Sequence, residues 1–177
     1  DHDLTAERVA VIGSAASAVQ VIPEIASTVE QLHVFQRTPN WILPKDDAPY
    51  TEEQKQAFRD RPELMLKSRD ALFEVIELGL DYTARTTMEA ITARATEQLL
   101  QVDDPEIRAL LTPDYPWGCK RPLLSNDYLP TFNRPNVELV VDPVDRVTAS
   151  GILTSDGTER PVDAIVLATG FVTTDYV

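Results

Sequence analysis

A short apolar segment that ends at a glycine constrains the possible fold more than any other feature of this sequence. Residues 8–12 are Arg-Val-Ala-Val-Ile, and Gly13 follows them directly. The next five residues are small, and apolar residues then recur at helical spacing from Val19 to Ile25. A second apolar segment covers residues 32–35. The order of strand, tight turn, helix and strand predicts a βαβ unit with two parallel strands.

The rest of the sequence divides into a helical part and a part with further strands. Thr51 begins a capping-box sequence, and Asp104 precedes a proline as an N-cap precedes the first helical residue. We therefore expect a helical insertion over residues 51–112. A loop is expected from Pro113 to Pro135, before apolar segments that predict strands. These segments are residues 137–141, 144–148, 152–154 and 163–168.

Together these expectations describe one α/β domain that covers residues 1–177. The βαβ start occupies residues 1–44, the helical insertion occupies residues 51–112, and residues 113–177 contain a Lys-Arg loop and the remaining strands. The predicted fold class is a Rossmann-like three-layer domain that carries the helical insertion and a small β-hairpin or meander.

Charge balance and cysteine content exclude several classes of protein. Sixteen Lys and Arg against 29 Asp and Glu give a formal net charge of −13. Nucleic acids and anionic membranes are bound by clustered cations, so neither is an expected partner. Cys119 is the single cysteine of the sequence, which excludes an internal disulfide and a Cys-rich metal site. No apolar run approaches about 20 residues, and we expect a cytoplasmic protein that binds no metal.

The turn after the first strand is typical of a phosphate-binding turn. Residues 13–18 are Gly-Ser-Ala-Ala-Ser-Ala, at the place of a dinucleotide-binding G-x-G-x-x-G/A sequence. Gly13 permits the tight turn, whereas Ala15 puts a methyl group where the pyrophosphate normally passes and so weakens or shifts phosphate binding. The alternative is that small residues serve only to pack the helix on the sheet. The candidate cofactor-binding residues here are Gly13, Ser14, Ala15, Ala16, Ser17 and Gln20.

The end of the second strand indicates which dinucleotide is bound. NAD-binding units place an acidic residue here for the ribose 2′-hydroxyl. This sequence has Gln36 instead, so no carboxylate would repel a 2′-phosphate. Arg37 supplies a planar guanidinium for a 2′-phosphate, and Thr38 adds a hydroxyl donor. We therefore predict binding of NADP(H) in preference to NAD(H). The alternative is that Arg37 only forms a salt bridge with a neighbouring acid.

Four segments resemble one known family, and they occur in the family's order. They are residues 8–25, Val-Phe-Gln-Arg-Thr-Pro-Asn-Trp at 34–41, Gly-Cys-Lys-Arg-Pro at 118–122 and Leu-Ala-Thr-Gly-Phe at 167–171. Together they are similar to the NADP-binding domain of Baeyer–Villiger monooxygenases, which are FAD- and NADPH-dependent enzymes related to the flavin-containing monooxygenases.

The resemblance implies roles for residues outside the glycine turn. Lys120 would join Arg37 and Thr38 at the 2′-phosphate. Arg121 would be the catalytic arginine near the flavin and the nicotinamide, where an always-charged donor stabilises the negative flavin peroxide. The family's Ala-Thr-Gly element would be Ala168, Thr169 and Gly170, which the resemblance adds to the cofactor-binding residues.

The resemblance also implies a reaction. In such an enzyme NADPH reduces FAD, O₂ forms a C4a-peroxyflavin, and this species oxygenates a ketone to an ester or a lactone; oxygenation at sulfur or nitrogen is the related alternative. The FAD domain, expected in cis, has no second glycine sequence here. We therefore expect an excised domain that is inactive by itself. A stand-alone NADP-binding module is the non-enzymatic alternative.

Other residues and enzyme classes have simpler interpretations. No tyrosine has a lysine four residues on, which disfavours a short-chain dehydrogenase. One cysteine disfavours a disulfide reductase, and Cys119 has no histidine nearby in the sequence to activate it. We interpret His33 as a strand or surface residue rather than a catalyst. Trp41 and Trp117 either flank the cofactor or are buried under loops.

Overall fold

The computed structural model describes residues 2–45, 47–80 and 84–171. The chain forms two compact units. One unit is Asp1–Pro44 together with Ala95–Val177, and the other is Lys45–Arg94. The last six residues of the predicted part 113–177 lie outside the described residues.

Strands and helices alternate in the order that the βαβ prediction requires, and both helix caps predicted from the sequence are present. The strands are β1 Arg8–Ile12, β2 Gln31–Phe35, β3 Ile42–Leu43, β4 Leu123–Leu124, β5 Val137–Val140, β6 Val144–Val147, β7 Gly151–Thr154, β8 Glu159–Pro161 and β9 Ala164–Leu167. The helices are α1 Ala16–Ile25, α2 Glu52–Asp60, α3 Pro62–Leu80, α4 Arg85–Leu99, α5 Pro105–Leu110 and α6 Tyr128–Thr131.

A four-stranded parallel sheet in the order β5-β2-β1-β9 forms the centre of the first unit. Val11 of β1 is the Cα partner of Val34 on one side and of Val166 on the other. From β1 the chain continues to β2, which pairs with one edge of β1, whereas β9 pairs with its other edge. This order creates a switch point at the carboxyl end of β1, which is where ligands bind in open α/β sheets.

The two faces of the parallel sheet pack against different layers. Val9 and Val11 of β1 share one cluster of buried residues with Ile22 of α1 and with the side chains of α6. Ala10, between them in β1, points to the opposite face and packs with Ile152 of β7. Because side chains alternate along a strand, the sheet is covered by helices on one face and by strands on the other. The predicted three-layer α/β fold is confirmed.

The covering strands form an antiparallel sheet in the order β6-β7-β8. The hairpin predicted around Ser150 and Gly151 is present as β6 and β7, and β8 extends it to a meander. Glu138 of β5 connects the two sheets, because its carboxylate accepts bonds from His33 Nδ1 (2.7 Å) and from Arg160 Nε (2.9 Å). His33 is therefore a buried strand residue with a satisfied side chain.

Helices of the predicted insertion begin at the expected caps. Thr51 and Gln54 form a reciprocal capping box at α2, and the Asp104 carboxylate accepts from the backbone N–H groups of Glu106 and Ile107 at α5. The second compact unit is nevertheless shorter than the predicted insertion 51–112. Its limit falls within α4, because residues from that point onward belong to the core of the first unit, notably Leu99, Val102 and Leu111.

The prediction of an uninterrupted loop from Pro113 to Pro135 is wrong in two places. Leu123–Leu124 pair in parallel with Ile42–Leu43, and Tyr128–Thr131 form a single helical turn that is buried against α1. Both elements are too short to show a periodicity, so the sequence gives no local signal for them.

Apolar side chains remain exposed on α3 of the second unit. They are Met65, Leu66, Leu72, Phe73, Val75 and Ile76. In the part of the chain that the structure describes, no helix combines the length and the apolar character that a membrane span requires.

Candidate functional site

A cavity of about 550 Å³ lies at the carboxyl ends of the parallel strands in the first unit. Each strand of the parallel sheet contributes the residues at or just after its end. The lining residues are Ile12, Gly13, Ser14 and Ala15 after β1; Phe35, Gln36, Arg37, Thr38 and Asn40 after β2; Val141, Asp142, Pro143 and Val144 after β5; Ala168 and Thr169 after β9; and Lys120 from a loop. Its volume and location are those of a small-molecule site.

Gly13 makes the turn between β1 and α1 possible. Its φ is +119°, which side chains rarely adopt, and its N–H donates to the Phe35 carbonyl at 3.0 Å. A Cβ at this position would collide with the carbonyl oxygen of Ala168, which β9 carries into contact with the turn. Only glycine meets both conditions, as expected for a tight turn at this position.

The N-terminus of α1 lies directly after this turn, and among the described residues no acceptor outside the helix pairs with the backbone N–H groups of Ala16, Ser17 or Ala18. Ala15 is the N-cap residue, and it makes no side-chain capping bond. The first turn of α1, all of which is described, contains no acidic side chain. Its free N–H groups and the positive end of the helix dipole therefore favour an anion.

Ser14 uses its hydroxyl within the protein. The side chain is 8% exposed, and its Oγ donates to the Thr38 carbonyl at 3.1 Å. Asn40 Nδ2 in turn donates to the Ser14 carbonyl at 2.8 Å. These bonds connect the glycine turn to the loop after β2, and both segments form the cavity wall.

Arg37 stands at the end of β2 with an exposed side chain. Within ranges 2–45, 47–80 and 84–171, no carboxylate lies within salt-bridge distance of it. The alternative that Arg37 pairs with a neighbouring acid therefore has no support among the described residues. Gln36 before it is buried, and its Nε2 donates to the Leu110 carbonyl at 3.0 Å.

Lys120 reaches the same cavity from the loop that precedes β4. Its Nζ lies 4.8 Å from the centroid of the Tyr115 ring. The structure thus brings Arg37, Thr38 and Lys120 to one cavity, although 82 positions of sequence separate Thr38 from Lys120. The lining contains two cations and a single acid, Asp142, in a protein whose net charge is strongly negative.

Several residues predicted for the site are not among those that line the cavity. They are Ala16, Ser17, Gln20, Gly170 and Arg121. Gln20 Nε2 donates to the Ala16 carbonyl one turn back along α1, at 2.8 Å. Gly170 continues from the lining residues Ala168 and Thr169 with a φ of +90°. Arg121 is exposed beside Lys120.

Other lining residues were not predicted from the sequence. Asn40 and the segment 141–144 belong to the wall, and the rule that ligands bind at the carboxyl ends of parallel strands would have indicated both. Trp41 is buried, and its Nε1 donates to the Tyr115 carbonyl at 3.1 Å; of the two interpretations of this residue, burial under a loop describes it. Among the described residues, no cluster of three or more His, Cys, Asp or Glu is placed to hold a metal ion.

The fold and the cavity define a class of protein. A parallel sheet, a glycine turn at its switch point and an open helix N-terminus are the parts of a Rossmann-type dinucleotide-binding domain. No protein-family model matches the chain.

The chain is similar to individual proteins that share one name. The chain is 41% identical over 179 residues to a Baeyer–Villiger monooxygenase of Pseudomonas aeruginosa and 38% identical over 178 residues to one of Streptomyces coelicolor. Each comparison covers 99% of this chain and 34% of the relative. The chain therefore spans about a third of the length of the curated relatives it matches.

Solved structures agree with these relatives. A crystal structure of OTEMO in complex with FAD and NADP has a TM-score of 0.78 and 32% identity, and the comparison covers 96% of this chain and 39% of that one. An open crystal structure of cyclohexanone monooxygenase has a TM-score of 0.80 and 27% identity, with 96% of this chain and 41% of that chain covered. The resemblance predicted from the sequence is confirmed: nearly the whole chain is homologous to one segment of Baeyer–Villiger monooxygenases.

Proposed function

We propose that this chain is the NADP(H)-binding domain of an FAD-dependent monooxygenase that converts ketones to esters or lactones. The observation that carries the proposal is the meeting of Arg37, Thr38 and Lys120 at one cavity beside the Gly13 turn. Two cations and a hydroxyl suit a phosphate monoester, and the turn suits the diphosphate of the same molecule.

The residues at the cavity fit NADP(H) part by part. The N-terminus of α1 would hold the pyrophosphate, since its first N–H groups have no acceptor among the described residues and the N-cap residue makes no side-chain bond. The Arg37 guanidinium would grip the 2′-phosphate with two parallel donors, and the Lys120 ammonium would add a second positive charge. NAD(H), which lacks that phosphate, would leave both cations without a ligand.

The relatives support the other half of the proposal, because they include Baeyer–Villiger monooxygenases and a structure that contains FAD and NADP. FAD, when bound elsewhere in such an enzyme, supplies the redox chemistry that accepts a hydride from NADPH and activates O₂. We assign Arg121 to the reacting centre, because its guanidinium keeps its charge and would stabilise negative charge that develops on oxygen. Its exposed position next to Lys120 leaves it available to a neighbouring domain.

We also propose a cytoplasmic location for the protein. Cys119 is free and exposed, and an exposed thiol of this kind persists in a reducing compartment.

Cofactor preference tests the proposed function. By calorimetry the protein is expected to bind NADPH about tenfold to a hundredfold more tightly than NADH, as charged hydrogen bonds to one phosphate predict. Arg37→Asp should erase the preference, because it removes the guanidinium and places a carboxylate in its position. Arg134→Asp makes the same charge change at an exposed residue outside the cavity and should leave the preference intact. Equal affinities in the unaltered protein would overturn the assignment.

A further inference from the structure

Two hydrogen bonds connect Tyr115 to the segment that follows β2. The Tyr115 hydroxyl donates to the Pro39 carbonyl at 2.8 Å, and Trp41 Nε1 donates to the Tyr115 carbonyl at 3.1 Å. Burial raises the pKa of the Tyr115 phenol, so the hydroxyl keeps the proton that it donates. Tyr115 is therefore fixed to the residues that come directly after Arg37 and Thr38.

The loop that contains Tyr115 and Lys120 is also attached at its other end to the segment that follows β2. The Leu123 N–H donates to the Trp41 carbonyl at 2.9 Å, and Leu123 is the Cα partner of Ile42 in the pairing of β3 with β4. The intervening segment 116–122 contains a turn in which the Cys119 N–H donates to the Pro116 carbonyl at 3.2 Å. A loop that is held at both ends presents Lys120 from a defined position.

The Tyr115 ring then fixes the side chain of Lys120. Lys120 Nζ lies 4.8 Å from the ring centroid, within the range of a cation–π interaction. Among the residues that the structure describes, no carboxylate is in salt-bridge distance of Lys120. The ring therefore restricts a long flexible side chain without neutralising its charge.

We propose that Tyr115 is a positioning residue for cofactor selection: its ring holds the Lys120 ammonium at the cavity wall that Arg37 and Thr38 share, so that a 2′-phosphorylated dinucleotide is preferred. The inference rests on the proposed function, since it assumes that the cavity binds NADP(H). It assigns to Tyr115 no contact with the cofactor itself, because Tyr115 is not among the lining residues.

Affinities for two cofactors separate positioning from a general structural role. The variants are Tyr115→Leu, Tyr115→Phe, Lys120→Ala and the two double variants, each measured by calorimetry with NADPH and with NADH. Tyr115→Leu should weaken NADPH binding about threefold to tenfold and leave NADH binding unchanged. In the Lys120→Ala background the same change should have no further effect on NADPH, because the side chain that Tyr115 positions is gone.

Tyr115→Phe keeps the packing and the ring but removes the bond to Pro39, so it tests the inference even where Tyr115→Leu does not fold. It should lose part of the NADPH preference, again only when Lys120 is present. Tyr128→Phe is the matched control, because Tyr128 is buried and its hydroxyl has no partner among the described residues. This control should leave both affinities unchanged.

The outcomes distinguish the two proposals. Equal losses for NADPH and NADH, or an undiminished Tyr115 effect in the Lys120→Ala background, would show a structural role and overturn the inference. If Lys120→Ala removes the preference for NADPH but both Tyr115 variants retain it, the inference is overturned and the proposed function is not. An unaltered protein without any preference for NADPH would instead overturn the proposed function.

Discussion

Ala15 is the residue at which the glycine turn departs from the usual pattern. Its backbone is extended, with φ −88° and ψ −161°, so the position does not require the conformational freedom of glycine. Ala15 belongs to the cavity lining, where the pyrophosphate would pass. The alanine is therefore compatible with the fold, and we expect its effect to be on the binding of the ligand.

Removal of the Ala15 methyl group should strengthen cofactor binding. We expect Ala15→Gly to raise the affinities for NADPH and NADH by the same factor, about tenfold at most, because the diphosphate is common to both. Calorimetry with both cofactors measures this. Ala16→Gly, one position further and outside the cavity lining, controls for the effect of a glycine on the helix. An unchanged or lower affinity of Ala15→Gly would show that the methyl group does not obstruct the phosphate.

Single residues also show what the sequence alone can predict about the site. Gly13, Arg37 and Thr38 were found because their positions directly after apolar strands carry a local signal. The contacts of Gln36 with Leu110 and of Tyr115 with Pro39 join residues 74 and 76 positions apart. No local pattern encodes such a pair, so these contacts required the structure.

At the scale of elements, the turn between β7 and β8 depends on one carboxylate. Asp156 accepts bonds from the hydroxyl of Thr154 and from both the N–H and the hydroxyl of Thr158. These donors lower the pKa of Asp156 from 3.8 to about 2, and the Thr154 hydroxyl has the largest effect. The ionised carboxylate of Asp156 therefore stabilises the folded state.

This turn makes stability depend on pH in a stated window. The contribution of Asp156 is complete above about pH 4 and is lost as the pH falls toward 2, because the folded-state pKa is the lower one. Urea unfolding of Asp156→Asn and of the unaltered protein should differ more at pH 6 than at pH 2.5. Asp127→Asn, at an exposed N-cap without a side-chain bond, is the parallel control. A difference that does not vary with pH would contradict the role of the charge.

Elements with a long pattern were predictable, and elements defined by a distant partner were not. The strands β1 and β2 and the hairpin of β6 and β7 have apolar runs and turn residues that identify them in the sequence. The pairing of Ile42–Leu43 with Leu123–Leu124 involves two residues on each side, far apart in the chain. The side-by-side position of β5 and β2 likewise follows from packing rather than from any local sequence.

At the scale of the whole enzyme, the proposed role of Arg121 can be tested in a full-length protein that contains this segment. Arg121→Ala should permit continued NADPH oxidation but reduce ester or lactone formation about a hundredfold or more, because a charged donor at the reacting centre is lost. Product analysis by gas chromatography, together with NADPH consumption, measures both.

Arg134→Ala is the control for this experiment, since Arg134 is exposed and outside the cavity. Normal product formation by Arg121→Ala would remove the arginine from the mechanism. Loss of both NADPH oxidation and product would assign it to cofactor binding instead.

The neighbouring positions of β1 and β9 determine when the cavity is completed during synthesis. The Arg8 N–H and the Asp163 carboxylate that accepts it at 2.9 Å are 155 positions apart, and Ala168 packs on Gly13 a few residues later. A nascent chain that has left the ribosome with only its first βαβ unit therefore has the glycine turn but not the wall behind it. Contacts of such high sequence separation also have a larger loop-closure entropy cost than local contacts. A dinucleotide bound in this cavity would therefore stabilise the domain only after translation has passed β9, because Ala168 and Thr169 complete the lining.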